Sequence, residues 1–303
     1  FVFWEDDGQD INFFIKVTRD FLTPIIKDQY FEFYQEMEAI ALGVSDSTDD
    51  GFISLPNSIR PKPSSSQALK ESGTFQIKVD VDVIVLLNCI VSMDYLHARL
   101  PQIIANRPDL TSQYPEYADR DPHAPQASTK EGGSSSRCSA FIAVGKDYTT
   151  DGSIVCAHNT FDNFVTGQFD NIILYIDAAN TTYNDKFKHY NMLFQTFPGG
   201  IFSGTDFFVT SAGILGTETT IGGFNAFELK APICVRIRKA MEYGTTLDDY
   251  VTFLKENNSG DYACSWLFGD TNTNEIMRIE LGLKYVNVER TNNGYFIGFN
   301  APY

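Results

Sequence analysis

Apolar positions fall near helical spacing from Ile11 through Phe14, Ile15, Phe21, Leu22, Ile25 and Ile26, and continue through Tyr30, Phe33, Met37 and Ile40. This pattern predicts helix over residues 10–42, core-facing, with Pro24 kinking it or dividing it in two. Residues 43–75 are rich in Gly, Ser, Asp and Pro and read as loop. Apolar texture returns over 76–105, with Val81, Val83, Ile84, Val85, Leu86 and Leu87. It predicts mostly helix through Leu100, with a strand possible at the start. Residues 106–137 are broken by Pro108, Pro115, Pro122 and Pro125 and end in Lys130-Glu-Gly-Gly-Ser-Ser-Ser-Arg. By composition this is an exposed, protease-accessible linker.

From Cys138 the texture changes to strands. Ser139–Val144 and Ser153–His158 read as a hairpin, with Asp151-Gly152 as its turn signal. Further strands are predicted at 171–177, 187–197, 206–219, 264–269, 275–281, 284–290 and 295–299. One helical region lies at 231–257, broken at Gly244. Strands joined by short turns, with helices grouped elsewhere, predict an α+β fold of antiparallel sheets covered by helices. Two regions follow: an N-terminal helical region, residues 1–137, with its linker at about 106–137, and a strand-rich region, 138–303.

Composition narrows the functional classes. The 303 residues are 43% hydrophobic, enough for a large core. Twenty-five Phe and 15 Tyr suit strands and wide apolar surfaces. A net charge of −16 would repel a phosphate backbone, so a nucleic-acid partner is not expected. No run of about 18 apolar residues occurs, so no transmembrane helix is expected. The five cysteines contain no CxxC pair, so a zinc site of ordinary spacing is unsupported; no metal and no cofactor are expected. The opening Phe-Val-Phe-Trp, without Met, reads as a start inside a longer precursor. Asn180-Thr-Thr and Asn257-Asn-Ser fit the glycosylation sequon.

Among the cysteines, Cys138 stands apart. A pliable Gly/Ser stretch leads into it and a tight hairpin follows it. A buried strand thiol needs no such linker. A nucleophile released by cleavage does, because the scissile Arg137–Cys138 peptide must bend back onto its own thiol. Once freed, the α-amine of Cys138, with an unperturbed pKa of about 7.7–8.0, can act as general base beside its own nucleophile.

The stretch Arg137-Cys-Ser-Ala-Phe-Ile-Ala-Val-Gly, with Asp151-Gly and Ala157-His-Asn-Thr-Phe, resembles the phospholipase B-like family of N-terminal-nucleophile hydrolases. That superfamily includes penicillin acylase and bile-salt hydrolase. Phe197-Pro-Gly-Gly, Thr205-Asp-Phe-Phe-Val-Thr-Ser-Ala-Gly, Glu218-Thr-Thr-Ile-Gly, Asn258-Ser-Gly-Asp-Tyr and Asn300-Ala-Pro-Tyr extend the resemblance. It implies a four-layer αββα fold, two antiparallel sheets between helices, and autocatalytic cleavage before Cys138. It implies that His158 lies beside the thiol, with Asn159 bracing the same hairpin. It also implies that Thr219 or Thr220 lines the site from a neighbouring strand, and that Asn300 donates to the oxyanion. Asn258 is either a site residue or a turn cap. Phe161 stands where the family commonly has Trp, in the acyl pocket. The family continues beyond its Asn-x-Pro-Tyr stretch, so the catalytic region is expected to be truncated there.

The expected function is therefore a self-processed acyl hydrolase in a secreted or lysosomal/endosomal lumen. Its partner is a phospholipid or another acyl-containing small molecule, cleaved at an ester or an amide. The competing reading is a catalytically idle secreted protein of the same fold that binds lipid in an apolar pocket. A papain-like protease built on Cys138 and His158 fits poorly, because such enzymes place the Cys at a helix N-terminus and the His far along the chain.

Overall fold

The computed structural model describes residues 11–48, 51–56, 74–117, 138–161, 167–180, 188–224 and 226–303. The chain divides into two compact units, Phe1–Met93 and Asp94–Tyr303. The boundary expected at Arg137 lies outside the described residues.

In the first unit, α1 (Ile11–Val17) runs through a wide π turn at Thr18–Leu22 into α2 (Thr23–Gln29), and α3 (Phe31–Ser47) follows. Pro24 has no N–H to continue the α ladder, and its ring would press on the carbonyl of Asp20. The helix absorbs this by widening: the Thr23 N–H reaches back to Thr18 O. The break falls later, at Tyr30, whose backbone leaves helical geometry. Strand β1 (Phe52–Pro56), inside the stretch expected as loop, pairs antiparallel with β2 (Thr74–Lys78), which lies where a strand was possible at the start of 76–105. Next comes α4 (Val81–Asn88), capped by the Asp80 carboxylate, which accepts from the N–H groups of Asp82 and Val83. Helix α5 (Ile90–Ala105) then leads into the second unit.

The second unit holds two antiparallel sheets. The small sheet has the order β12-β3-β4: β12 (Gly294–Gly298), β3 (Ser139–Val144) and β4 (Val155–Asn159). The large one has seven strands in the order β11-β10-β9-β8-β7-β6-β5. These are β5 (Ile172–Ile176), β6 (Met192–Thr196), β7 (Phe207–Thr210), β8 (Ile214–Thr220), β9 (Cys264–Asp270), β10 (Glu275–Leu281) and β11 (Val286–Thr291). The segment 206–219, expected as one strand, is the β7–β8 hairpin. Gly213 turns the chain at φ +87°, a conformation open to glycine.

Strand β9 is buried along its whole length because both of its faces are covered. On one face Trp266 and Phe268 join Phe208, Met277 and Ile279 against α6 (Ile233–Tyr243) and α7 (Leu247–Lys255). On the other, Leu267 and Ile276 pack on Ala140, Ile142 and Val144 of the small sheet. The layers are therefore helices, large sheet, small sheet. The outer face of the small sheet carries Phe141, Val155, Tyr295 and Ile297, all exposed. The expected helix break at Gly244 is present, and a Cβ there would lie 2.5 Å from both Ala240 O and the Tyr250 ring.

Candidate active site

Cys138 sits immediately before β3 and is 6% exposed. The register Ala140↔His158 places His158 on the same inward face of the hairpin as Ala140, and Cys138 shares that face by alternation. Two residues beyond the Gly298↔Ala140 pair come Asn300 on one side and Cys138 on the other. The two sheets meet here, and Asp206, just before β7, enters from the large one. The Cys138 sulfur, a ring nitrogen of His158 and a carboxylate oxygen of Asp206 lie within 4.8 Å of one another.

The hydrogen bonds around His158 favour one tautomer. The Thr160 hydroxyl donates its single proton to Thr205 O at 2.9 Å. Its 3.2 Å contact with His158 Nδ1 must then be an Nδ1–H donating to the Thr160 oxygen. That leaves a lone pair on Nε2, which is buried and has no hydrogen-bond partner among the described residues. Burial lowers the imidazole pKa, and the nearby Glu218 backbone offsets part of this. A neutral ring with a bare Nε2 is a proton acceptor next to a thiol.

Behind Asp206 stands a buried polar row. Asp206 adopts a left-handed backbone, φ +59°, and its carbonyl accepts from the Glu218 N–H at 3.2 Å. The two carboxyls face each other. Burial, then the charge of Glu218, pushes Asp206 well above the usual carboxylate range. Burial raises Glu218 to about 7, against the hydrogen bonds from Asp206 and Tyr262. Like charges this close do not both ionise readily, so the pair titrates as a unit. The Tyr262 hydroxyl donates to Glu218 Oε1, which makes Thr220 the donor in its 2.8 Å contact with Tyr262. The Asn300 side-chain amide donates to Thr220 O at 2.8 Å, tying the end of β12 to the end of β8.

The sequence-predicted residues fall into three groups. Cys138 and His158 come together with Asp206 as described. Thr219, Thr220 and Asn300 lie in the surrounding frame. The Thr219 and Thr220 strand is not a neighbour of β3, however; it belongs to the facing sheet. The Thr219 hydroxyl is fully buried without a hydrogen-bond partner among the described residues, and a Cβ on Gly298 would come within 2.5 Å of it. Asn300 uses one of its two amide hydrogens on Thr220 O. The remaining predicted residues lie apart from the cluster. Asn159 is exposed and donates to Ser139 Oγ at 3.3 Å, bracing the hairpin. Phe161 is 58% exposed. Asn258 caps a turn, accepting from Gly260 N–H at 2.8 Å and donating to Gly282 O at 3.1 Å. Asn180 and Asn257 are exposed.

Sequence reasoning missed Asp206, Glu218, Tyr262 and Thr160 as site residues. The signal was a carboxylate opening or entering a largely apolar strand, in Thr205-Asp-Phe-Phe and Glu218-Thr-Thr-Ile. None of the five cysteines is in a disulfide. Cys156, on the same inner face as His158, is pushed up to about 12 by burial, so it is no rival nucleophile.

A sequence model of the family described as Phospholipase B matches residues 66–303. The chain belongs to the phospholipase B family. A Mus musculus protein named phospholipase B-like 2 is 27% identical over 169 residues, covering 50% of this chain and 27% of that protein. Its Rattus norvegicus counterpart is 26% identical over 166 residues, with the same two shares. Their name states a likeness rather than an activity. The chain thus spans about a quarter of the length of the curated relatives it matches. Among the described residues no single helix is long and apolar enough to cross a membrane.

Proposed function

We propose that this family member is an acyl hydrolase whose nucleophile is Cys138, released by self-cleavage after Arg137. The observation that carries the reading is the Cys138–His158–Asp206 cluster within 4.8 Å at the start of a strand. Before cleavage the α-nitrogen of Cys138 is an amide and cannot serve as base, so another group must take the thiol proton. His158 Nε2 has the free lone pair for it. The thiolate attacks the Arg137 carbonyl. A C–S bond forms, the C–N bond breaks, and the nitrogen takes the proton to become the α-amine. Water then hydrolyses the thioester, giving the Arg137 carboxylate and restoring the thiol.

In turnover the same sulfur accepts the acyl group of a substrate ester or amide, and the alcohol or amine leaves with the proton. Asp206 lies where it can receive the new α-ammonium. Asn300, tied to the strand end beside Cys138, has one amide hydrogen for the oxyanion. A donor in that role is worth about 2.7–4 kcal/mol of barrier. The substrate class is a phospholipid or an N-acyl amide, with the family membership favouring the lipid ester. The raised carboxyl pair and the exposed Asn180 and Asn257 sequons suit an acidic, glycosylating route to a secreted or lysosomal/endosomal lumen.

The test is a denaturing gel with mass spectrometry. The wild-type chain, incubated at acidic pH, should split between residues 137 and 138 and yield Cys138 as a free N-terminus, while Cys138→Ala stays whole. A wild-type chain that also stays whole would sink the nucleophile reading and favour the idle lipid binder. Fatty acid release from phospholipid, compared with release from an N-acyl amide, then separates the two substrate classes.

A further inference from the structure

We propose that Cys138, His158 and Asp206 form a binding site for Zn2+ or a similar thiophilic divalent cation, and that the ion holds the nucleophile silent until it is removed. The binding stands on geometry alone; only the silencing rests on Cys138 being the nucleophile.

The donor set is one thiol sulfur, one imidazole nitrogen and one carboxylate oxygen, the three ligand types that zinc takes from proteins. Tetrahedral zinc at its usual bond lengths places ligand atoms roughly 3.3–3.6 Å apart. These three lie within 4.8 Å, a gap that small side-chain rotations close. The ligands come from two sheets and from separate strand ends, Cys138 and His158 on the β3–β4 hairpin and Asp206 at the start of β7. Sequence spacing could not reveal such a trio, since 48 residues separate His158 from Asp206. Three protein ligands leave the fourth position for water.

Two independent features point to a cation. First, His158 is held as a metal-binding imidazole usually is. Its Nδ1 meets the Thr160 hydroxyl, which donates to Thr205 O, and its buried Nε2 has no hydrogen-bond partner among the described residues. Second, the Asp206 and Glu218 carboxyls face each other in the interior, with Tyr262 donating to Glu218. Glu218 would then brace the ligating Asp206 from behind, as outer partners of ligating carboxylates do.

Binding displaces the thiol proton to solvent and forms the S–metal bond. The sulfur lone pair that would attack the Arg137 carbonyl is then shared with the ion, and the Nε2 lone pair that would take the proton is occupied. Cleavage stops without any change in fold.

The test uses the full chain stripped with a chelator and titrated with Co2+ as a spectroscopic stand-in. The expected result is one Co2+ per chain, with a thiolate-to-cobalt charge-transfer band and tetrahedral visible bands, both abolished by one equivalent of Zn2+. Cys138→Ser should lose the charge-transfer band. Asp206→Asn, isosteric and tolerant of the left-handed backbone, and His158→Gln should each weaken binding at least tenfold. Thr160→Val should weaken it by about 10–100-fold, the loss seen when an outer partner of a ligating histidine is removed. No charge-transfer band in the wild type, or one that survives in Cys138→Ser, overturns the proposal. So does binding that Asp206→Asn and His158→Gln leave unchanged. In parallel, Zn2+ should halt self-cleavage and chelation restore it. If the cobalt site behaves as expected but the chelated chain never cleaves, the metal site stands and the nucleophile reading falls. If cleavage proceeds equally with and without Zn2+, the silencing role falls.

Discussion

His158 enters the site with its proton committed to Nδ1, because Thr160 has only one hydrogen and gives it to Thr205 O. Removing that hydroxyl leaves the imidazole free to rotate and to change tautomer while the ring itself remains. Thr160→Val is therefore expected to slow self-cleavage by about 10–100-fold, the range for losing a partner that orients a functional histidine, with the folded state intact by circular dichroism. An unchanged rate would mean that Nε2 takes no proton. Glu218 carries a pH dependence of a different kind. Its folded pKa, raised by burial to about 7, lies above its ordinary value of 4.5. The folded chain therefore binds the extra proton more tightly than the unfolded chain. The resulting stability is fully present below about pH 4.5 and is lost as pH rises through about 7. Glu218→Gln, neutral at every pH, should flatten that part of the stability curve. Thermal melts from pH 4 to 8 in chelator-containing buffer read this directly, and a variant whose melting point falls with pH as steeply as the wild type would contradict it.

At the scale of elements, the periodic signals were legible and the interruptions were not. The β3–β4 hairpin, the strands near 172–176, 264–270, 275–281 and 294–298, and the helix pair broken at Gly244 all follow from alternation, apolar runs and turn residues. The β1 strand was hidden because five residues in a Gly/Ser/Asp-rich stretch carry too little pattern, and only pairing with β2 makes them a strand. The π turn before Pro24 was hidden because sequence marks the proline but not whether the ladder breaks or widens. In the site, Cys138 was singled out by the linker and the hairpin, and His158 by the family resemblance. Asp206 was not, since its closeness depends on how two sheets stack. The same holds for the element that anchors α6. Arg236 and Asp261 are fully buried and paired at 2.7 Å, Asp261 also accepts from the Ile233 N–H, and Arg236 reaches Ala231 O and Leu254 O. Breaking such a pair from one side leaves a bare buried charge. Asp261→Ala is expected to cost about 3–5 kcal/mol in denaturant unfolding. A cost under about 1 kcal/mol, the scale of a surface pair, would show that water reaches the arginine.

For the molecule as a whole, the groups that the proposed cleavage would use are all within this chain, although it spans about a quarter of its curated relatives' length. The thiol, the imidazole and the carboxylate belong to one compact unit, Asp94–Tyr303. In the proposed cleavage the bond to be cut ends at the nitrogen of the same residue whose sulfur would attack it. Attack within a chain avoids the entropy of bringing two molecules together, an advantage worth an effective concentration of about 10⁵–10⁸ M in well-oriented cases. No intermolecular route at micromolar protein can compete with that. Cleavage should therefore be first order, with a rate constant unchanged over a hundredfold range of protein concentration. Mixing wild type with a tagged Cys138→Ala chain should leave the tagged chain whole. A rate that climbs with concentration, or a tagged variant cut by its wild-type partner, would instead mean that the linker before Cys138 is cut by a second copy, and Cys138 would then owe its free amine to proteolysis and not to its own sulfur.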